Sequence, residues 1–142
     1  MIYLLDTDAF TLAHLGRYGL RERVANTRQR GNGVAVSVVT RIEVLRGRFE
    51  AVVKAADGAA LVRMQELLFA SEAYLSEFSL LPFETAAAEV FDQLRVDKAA
   101  RKTDRNDLLI ACVALAHGAT LVTRNTKDYA HVPGLALENW AG

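Results

Sequence analysis

The sequence is poor in cysteine and proline and has no excess of charge of either sign. A single cysteine, Cys112, among 142 residues excludes an internal disulfide framework and is compatible with a reducing cytoplasm. Two prolines and nine glycines beside 51% apolar residues exclude a disordered chain. The 17 basic and 17 acidic residues cancel. A basic field over the whole surface is therefore absent, and a polyanion must be bound by a local patch.

Long hydrophobic segments and paired histidines are also lacking. No uncharged apolar stretch approaches the ~20 residues of a membrane span. The N-terminal run 2–5 is too short for a signal-peptide core and has no basic leader. We therefore expect a cytoplasmic protein that does not contact membranes. The histidines, His14, His117 and His131, are scattered without zinc-ligand spacing, so a zinc site is not expected.

Short apolar runs alternate along the chain with segments of helical periodicity. The runs that predict strands are 2–5, 34–37, 80–83, 119–123 and 135–138. The segments that predict helices are 9–15, 20–29, 40–78 with a break near 57–58, 84–101, and one that ends at Gly118. This alternation predicts an α/β fold with a parallel sheet covered by helices, and the length predicts one domain over residues 1–142.

Two helix starts carry recognisable caps. Thr40 is predicted to cap the third helix, because Glu43 follows three residues later at the spacing of a capping box. Asp104 or Asn106 is predicted to cap the helix that ends at Gly118. Both assignments place acidic side chains at the start of a helix.

Three acidic residues are expected at one edge of the sheet, where the strands end and the helices begin. Asp6 ends the first strand, Glu43 follows the second strand, and Asp107 lies in the first turn of the helix before the fourth strand. Any one of them is explained by helix capping, which contributes about 0.3–1 kcal/mol. The combination is harder to explain in that way, because the apolar neighbours of Asp6 and Asp107 predict that both are largely buried.

A cluster of buried carboxylates requires a compensating charge. Two ionised carboxylates about 4 Å apart repel by roughly 4 kcal/mol at an effective dielectric constant of 20. The cluster therefore needs shared protons or a cation. Carboxylate oxygens suit hard ions such as Mg²⁺ or Mn²⁺. The sequence predicts a divalent metal ion used for hydrolysis.

Four segments together resemble a known family. They are LLDTD at 4–8, SVVTRIEVLRG at 37–47, NDLLIAC at 106–112 and ATLVTRNTKDY at 119–129, and the tail 132–140 also fits. The chain resembles PIN domains and, more narrowly, VapC-type toxins of type II toxin–antitoxin systems. The resemblance implies a three-layer sandwich with a five-stranded, mostly parallel sheet. It also implies a Mg²⁺- or Mn²⁺-dependent endoribonuclease, a homodimer, and a cognate VapB-type antitoxin that inhibits the enzyme.

The resemblance assigns roles to the three acids and adds a fourth. Asp6, Glu43 and Asp107 fall on the acids of the family pattern and are predicted to be catalytic. Asp6 and Asp107 are expected to bind the metal ion, whereas Glu43 is either a ligand or the proton acceptor. Asp128 is predicted to contribute the fourth carboxylate.

Four further residues are expected to support the acid cluster. Thr123 and Asn125 would arrange hydrogen bonds beside Asp128. Asp8 replaces the asparagine that is commoner at its position and is either a supporting group or a cap. Asp104 lies three residues before Asp107, so helical spacing directs both side chains to about the same face.

Basic residues near the expected site are candidates for RNA contacts. Arg46 and Arg48 follow the second strand, while Arg101, Lys102 and Arg105 precede the last helix. Helical cations are often simply solvated. Their placement favours phosphate binding, and Arg46 and Arg48 could instead pair with an acidic antitoxin segment.

Two alternative functions compete with the ribonuclease. Asp6-Thr7-Asp8 also fits the nucleophile motif of haloacid-dehalogenase-like phosphatases, in which Asp6 would be phosphorylated and Asp8 would act as acid and base. The acids at 104 and 107 open a helix instead of following a strand, which disfavours that fit, and Glu43 would have no role. A PIN-like module that only binds partners is disfavoured by the intact acids.

The chain also carries more apolar surface than a small core absorbs. The excess lies in the segments 12–20 and 61–75. Most of these residues are expected to pack in the core. The remainder are candidates for a dimer face or an antitoxin groove.

Overall fold

The computed structural model describes residues 1–142 and alternates strands with helices along the whole chain. The strands are β1 Ile2–Leu5, β2 Gly33–Ser37, β3 Ser79–Leu81, β4 Thr120–Val122 and β5 Leu137–Glu138. The helices are α1 Thr7–His14, α2 Leu20–Gln29, α3 Val38–Val53, α4 Gly58–Leu75, α5 Thr85–Leu94 and α6 Arg105–Ala116. Short 3-10 turns span Ala100–Lys102 and Thr126–Tyr129. All five predicted strands are present, and the α/β prediction is confirmed.

The five strands form one sheet in the order β3-β2-β1-β4-β5, and every neighbouring pair is parallel. The chain starts at the central strand, builds outward through β2 to β3, and then crosses back to place β4 on the other side of β1. The strand order therefore reverses between β1 and β4. In open parallel sheets, the carboxyl ends of the strands at such a reversal form a crevice that binds ligands.

Alternate residues of the central strands point to opposite faces of the sheet, and both faces are covered. Leu4 and Leu121 belong to one buried cluster together with residues of α5 and α6. Leu5 and Val122 belong to a second cluster with residues of α1 and α2. This arrangement is the predicted three-layer sandwich. It also explains why the strands are continuously apolar, since neither face contacts water.

The start of α3 differs from the prediction. The side chain of Ser37 accepts a hydrogen bond from the Thr40 amide at 3.1 Å, so Ser37 is the N-cap and Thr40 lies inside the helix. The predicted Thr40 capping box is therefore wrong. Ser37 and Thr40 are both favourable cap residues, and β2 leads directly into the helix without the loop that a later cap would need. Glu43 consequently lies in the second turn instead of the first.

Other predicted boundaries are close to the structure. Asp57 caps α4 at the predicted break and accepts a hydrogen bond from the Ala60 amide at 2.8 Å. Asp104 caps α6, and Gly118 follows that helix with a φ of 61°. The predicted helix 84–101 is too long, because α5 ends at Leu94 and the Ala100–Lys102 turn follows separately.

The connection between α1 and α2 has an unusual backbone. Gly16 and Gly19 each have a φ of 68°, and Tyr18 between them has a φ of 54°. Tyr18 is the one residue other than glycine with a positive φ in the chain. This left-handed conformation costs a side-chain-bearing residue about 1–2 kcal/mol. The loop is thus strained at a tyrosine whose side chain is exposed.

Exposed apolar side chains lie in the predicted segment 12–20, at Leu15 and Tyr18, and on α4 in the predicted segment 61–75, and others lie on α3, outside both segments. Of the 18 residues of α4, the buried ones are Ser71, Tyr74 and Leu75. Large apolar side chains on these two helices that remain exposed are Ile42, Phe49, Val53, Leu61, Val62 and Phe69. No helix of the chain has the length and apolar character needed to cross a bilayer.

Candidate active site

Asp6 and Asp107 lie at the carboxyl end of the sheet and share one hydroxyl group. The Tyr129 hydroxyl lies 3.2 Å from Asp6 Oδ2 and 3.2 Å from Asp107 Oδ1, in position to donate to either carboxylate. Tyr129 is only 1% exposed, and Asp6 is 5% exposed. One buried phenol therefore links the carboxylate that follows β1 to the carboxylate in the first turn of α6.

Asp6 also begins the first helix. Its Oδ1 accepts a hydrogen bond from the Ala9 amide at 2.8 Å, which makes it the N-cap of α1. Burial raises the pKa of Asp6, and the Ala9 amide, the Thr123 hydroxyl and the Tyr129 hydroxyl partly offset the increase. The carboxylate is therefore held in one orientation while part of its desolvation cost remains uncompensated.

Asp107 also has a raised pKa. Burial raises its pKa to about 6, and the nearby charges of Asp104, Asp128 and Asp6 contribute in the same direction. The hydrogen bond from Tyr129 opposes the rise. Three neighbouring carboxylates therefore act on Asp107 together, and a bound cation would relieve this surplus of negative charge.

Glu43 is bound to the residues that flank the other two acids. Thr7 Oγ1 donates to Glu43 Oε1 at 2.6 Å, and Asn106 Nδ2 donates to Glu43 Oε2 at 3.0 Å. The Thr7 hydroxyl also lies within hydrogen-bond distance of the Thr40 hydroxyl, with 3.0 Å between the two oxygens. Glu43 is therefore fixed beside the pair through its neighbours. Thr7 and Asn106 were not predicted as site residues, although each adjoins a predicted acid in the sequence.

The side chains suit a hard cation held mainly by two carboxylates. No group of three acidic, histidine or cysteine side chains is arranged to hold a metal ion. Asp6 and Asp107 share the Tyr129 hydroxyl, whereas Glu43 accepts hydrogen bonds from Thr7 and Asn106, and the roles of the three acids toward a metal ion stay predictions. Mg²⁺ commonly binds to one or two carboxylates and keeps several waters, so the Asp6–Asp107 pair satisfies its needs. The oxygen-only donors and the surplus negative charge fit such an ion.

A polar cavity of about 290 Å³ opens beside Asp107 and contains no apolar lining residue. It is lined by Lys102, Asp104, Asp107, Lys127, Asp128 and His131. Asp128, the predicted fourth carboxylate, therefore lines the same cavity as Asp107. The two lysines and the histidine bring basic groups into the same cavity as these acids.

Asn125 and Asp8 form a separate contact at the same edge. Asn125 Nδ2 donates to Asp8 Oδ2 at 3.4 Å, and the Asn125 amide donates to Thr123 Oγ1 at 3.0 Å. Thr123 is fully buried and Asp8 is exposed. Asn125 thus connects the end of β4 to the start of α1, whereas Asp128 faces the cavity.

The predicted RNA-binding cations do not all lie at the acid cavity. Of that set, Lys102 lines the acid cavity. Arg101 Nε donates to the Arg95 carbonyl at 3.2 Å, and the Arg105 guanidinium lies 5.2 Å from the Phe91 ring centroid. Both arginines have partners within the chain. Lys127 and His131 were not predicted as basic groups of the site, because they follow β4 and do not adjoin a predicted helix.

Arg46 and Arg48 also differ in their surroundings. Arg46 lines a groove of about 380 Å³ on α3. Arg48 Nε donates to Ser71 Oγ at 2.9 Å, and Ser71 is fully buried. Arg48 therefore links α3 to α4 through its Nε, and its pairing with an acidic antitoxin segment stays a prediction.

The match to known families agrees with this geometry. The family model described as PIN domain matches residues 3–135. The chain belongs to the PIN domain family. The resemblance inferred from the four sequence segments is therefore confirmed.

Curated relatives match this PIN domain over almost their full length. Ribonuclease VapC2 from Rickettsia felis is 28% identical over 142 residues, which cover 99% of this chain and 98% of the relative. The tRNA(fMet)-specific endonuclease VapC from Shigella flexneri is 27% identical over 146 residues, with 98% of each chain covered.

Solved structures share the architecture. A chain in the crystal structure of VapBC2 from Rickettsia felis, bound to a DNA fragment from their promoter, aligns with a TM-score of 0.79 and 28% identity over 99% of both chains. A chain in DNA-bound VapBC from Salmonella typhimurium aligns with a TM-score of 0.75 at 24% identity. At this identity, the second match shows that this chain and the chain from Salmonella typhimurium share a fold.

Neutralising Asp107 should stabilise the metal-free protein. Folding raises the pKa of Asp107 from 3.8 to about 6. Between these values the native state binds more protons than the unfolded chain, so stability falls as the pH rises through this interval. Without metal at pH 7, Asp107→Asn should therefore melt a few degrees above the wild type. The two melting curves should converge below about pH 4, where both forms are neutral.

The matched control for this measurement is Asp92→Asn, which alters an exposed acid in a surface pair with Arg95. This variant should melt like the wild type at pH 7, since exposed pairs contribute little. Added Mn²⁺ should raise the melting temperature of the wild type and of Asp92→Asn, but not that of Asp107→Asn. Lower stability of Asp107→Asn at pH 7 would contradict the charge-surplus interpretation.

Proposed function

We propose that this chain is the ribonuclease toxin of a type II toxin–antitoxin system and hydrolyses RNA phosphodiester bonds with a bound divalent metal ion, Mg²⁺ or Mn²⁺. The observation that carries the proposal is the Asp6–Tyr129–Asp107 arrangement at the strand reversal of a PIN fold. The ribonuclease and endonuclease names of relatives that match over their full length support it. We also propose that it acts as a single domain in the cytoplasm.

The proposed mechanism divides the work among three acids. A divalent ion held at this site would supply an activated water and would neutralise charge that develops on the phosphate. Asp6 and Asp107 would hold the ion, with Tyr129 and the Ala9 amide fixing their carboxylates. Glu43 would accept the proton of the attacking water, because its bonds to Thr7 and Asn106 keep it beside the pair without converging on it.

The two alternative functions have less support. A phosphatase with Asp6 as its nucleophile would leave Glu43, which lies at the same site, without a role. Asp104 and Asp107 open α6 and do not follow a strand. A module that only binds partners would have no need for a partly uncompensated acid pair of which one member, Asp6, is buried and the other, Asp107, half-buried.

Replacing Asp6 by asparagine should remove catalysis without disturbing the fold. Asparagine is an equally good N-cap, so α1 should begin at the same residue. Metal-dependent cleavage of RNA should fall by about 100-fold or more, since even losses outside the ligand set cost 10–100-fold. Transfer RNA is the first substrate to test, because two relatives are named tRNA(fMet)-specific endonucleases.

The assay compares the wild type, Asp6→Asn and the exposed-acid control Asp92→Asn with Mn²⁺ or Mg²⁺, and each again with EDTA. Wild type and control should cleave with metal and stop with EDTA. Equal cleavage by Asp6→Asn and the wild type would refute the catalytic proposal. Turnover of a small phosphomonoester with no RNA cleavage would instead support the phosphatase alternative.

Phosphate contacts are proposed for the lysines of the acid cavity. Lys102 and Lys127 share the cavity with Asp107 and Asp128, so they lie where the RNA backbone must approach the acids. Arg101 and Arg105 have contacts within the chain. Together they carry the same charge as the two lysines and therefore serve as the control pair. This arrangement favours the lysines over the two arginines that the sequence suggested.

The double variants Lys102→Ala/Lys127→Ala and Arg101→Ala/Arg105→Ala separate these assignments. Removing one phosphate-binding cation should reduce the slope of log KM against log salt concentration by about 1. The lysine variant should therefore lose about 2 in slope, and the arginine variant should resemble the wild type. A slope change confined to the arginine variant would restore the sequence-based prediction.

The antitoxin is proposed to bind α3. The groove on that helix is lined by Arg41, Ile42, Leu45, Arg46, Phe49 and Glu50. Similar chains occur in VapBC complexes. An apolar floor with two arginines suits an antitoxin segment that presents apolar and acidic side chains. The homodimer implied by the family remains a prediction.

A charge placed on the floor of this groove should release the antitoxin. Phe49 is 52% exposed, so Phe49→Asp removes an apolar side chain at little cost to folding. Binding of the protein encoded by the neighbouring reading frame should weaken by at least about 10-fold, the effect of a central interface residue. RNA cleavage should persist but escape inhibition. The control is Val96→Asp, at an exposed valine outside α3 and α4. Undiminished inhibition of Phe49→Asp would contradict the assignment.

A further inference from the structure

The loop between α1 and α2 holds an aromatic ring at the surface by means of a strained backbone. Tyr18 has a φ of 54° between two glycines that also have positive φ values. Its side chain is 54% exposed, so core packing does not offset the strain. Glycine would adopt this backbone conformation without strain. A tyrosine at this position therefore points to a role for the ring itself.

Arg124 connects this ring to the acid site. The Arg124 guanidinium carbon lies 4.6 Å from the centroid of the Tyr18 ring. Arg124 stands between Thr123, which is buried against Asp6, and Asn125, which contacts Asp8. The Tyr18–Arg124 stack is therefore located at the same carboxyl edge of the sheet as the proposed catalytic acids.

The charge of Arg124 has no acidic partner. The two salt bridges of the chain are Arg23–Glu138 and Arg95–Asp92. Arg124 is exposed, and its guanidinium group packs on the tyrosine ring. A free guanidinium beside an exposed aromatic face matches single-stranded RNA, which supplies flat bases and a phosphate for each base.

We propose that Tyr18 and Arg124 form a stacking site for one base of single-stranded RNA next to the cleavage site. The proposal rests on the ribonuclease function proposed above. The base would stack on the face of the ring opposite Arg124, and the guanidinium group would attract the adjoining phosphate. Because every base has an aromatic face, the site would select unpaired RNA and not a particular base.

Tyr18→Gly and Tyr18→Phe form a matched pair for the test. Tyr18→Gly removes the ring and relieves the strain, so the fold should be retained. Tyr18→Phe keeps the ring and removes only the hydroxyl. Both are placed in an Asp6→Asn background, which prevents cleavage during binding. The probe is a fluorescein-labelled single-stranded RNA of about 12 nucleotides, within the usual range of such sites, measured by fluorescence anisotropy.

Tyr18→Gly should bind this RNA about 5- to 150-fold more weakly than Tyr18→Phe, the range that one stacked base supplies. A series of probes with one base removed at successive positions identifies the base that stacks. On the probe that lacks that base, the two variants should bind equally, since the interaction is absent from both.

Equal binding of the two variants to the intact probe would overturn the proposal. An equal loss for every probe in the series would also overturn it, because the ring would then act without a base. If Tyr18→Gly weakens only antitoxin binding, the ring is a protein contact and the proposal fails. Absence of RNA cleavage by the wild type with Mn²⁺ would instead overturn the ribonuclease function, independently of Tyr18.

Discussion

The hydroxyl of Tyr129 is the contact on which the acid site depends. It joins the carboxylate of Asp6 at the end of β1 to that of Asp107 at the start of α6, at 3.2 Å from each. One neutral donor cannot balance two ionised acids, and burial raises the pKa of both. The edge of the sheet therefore retains a negative charge that a divalent cation would neutralise.

Hydrogen bonds of the fold hold Asp6 and Glu43 in place at this edge of the sheet. Asp6 caps α1, and Glu43 is fixed through Thr7 and Asn106. The parallel sheet reverses its strand order at this point, which leaves a crevice that no crossover helix fills. The ionised form of Asp107 lowers the stability of the native state near neutral pH, as is common where a site is kept for function.

The basic residues show how tertiary structure separates groups that are close in sequence. Arg101 and Lys102 are neighbours in the chain, yet the first donates to a backbone carbonyl and the second lines the acid cavity. Arg46 opens onto a groove, whereas Arg48 is bonded to buried Ser71. A cluster of like charges in a sequence therefore does not identify a binding surface until the direction of each side chain is known.

The sequence by itself determined the alternation of strands and helices and the placement of Asp6 and Asp107 at one edge, because periodicity, capping and the end of a strand are local properties. It placed the cap of α3 three residues late, since Ser37 and Thr40 have similar cap preferences and only the direct passage from β2 selects between them. Only the tertiary structure showed that four further residues belong to the site, namely Tyr129, Lys127, Thr7 and Asn106. Their partners are distant in the chain, and the order of the parallel strands is what brings them together.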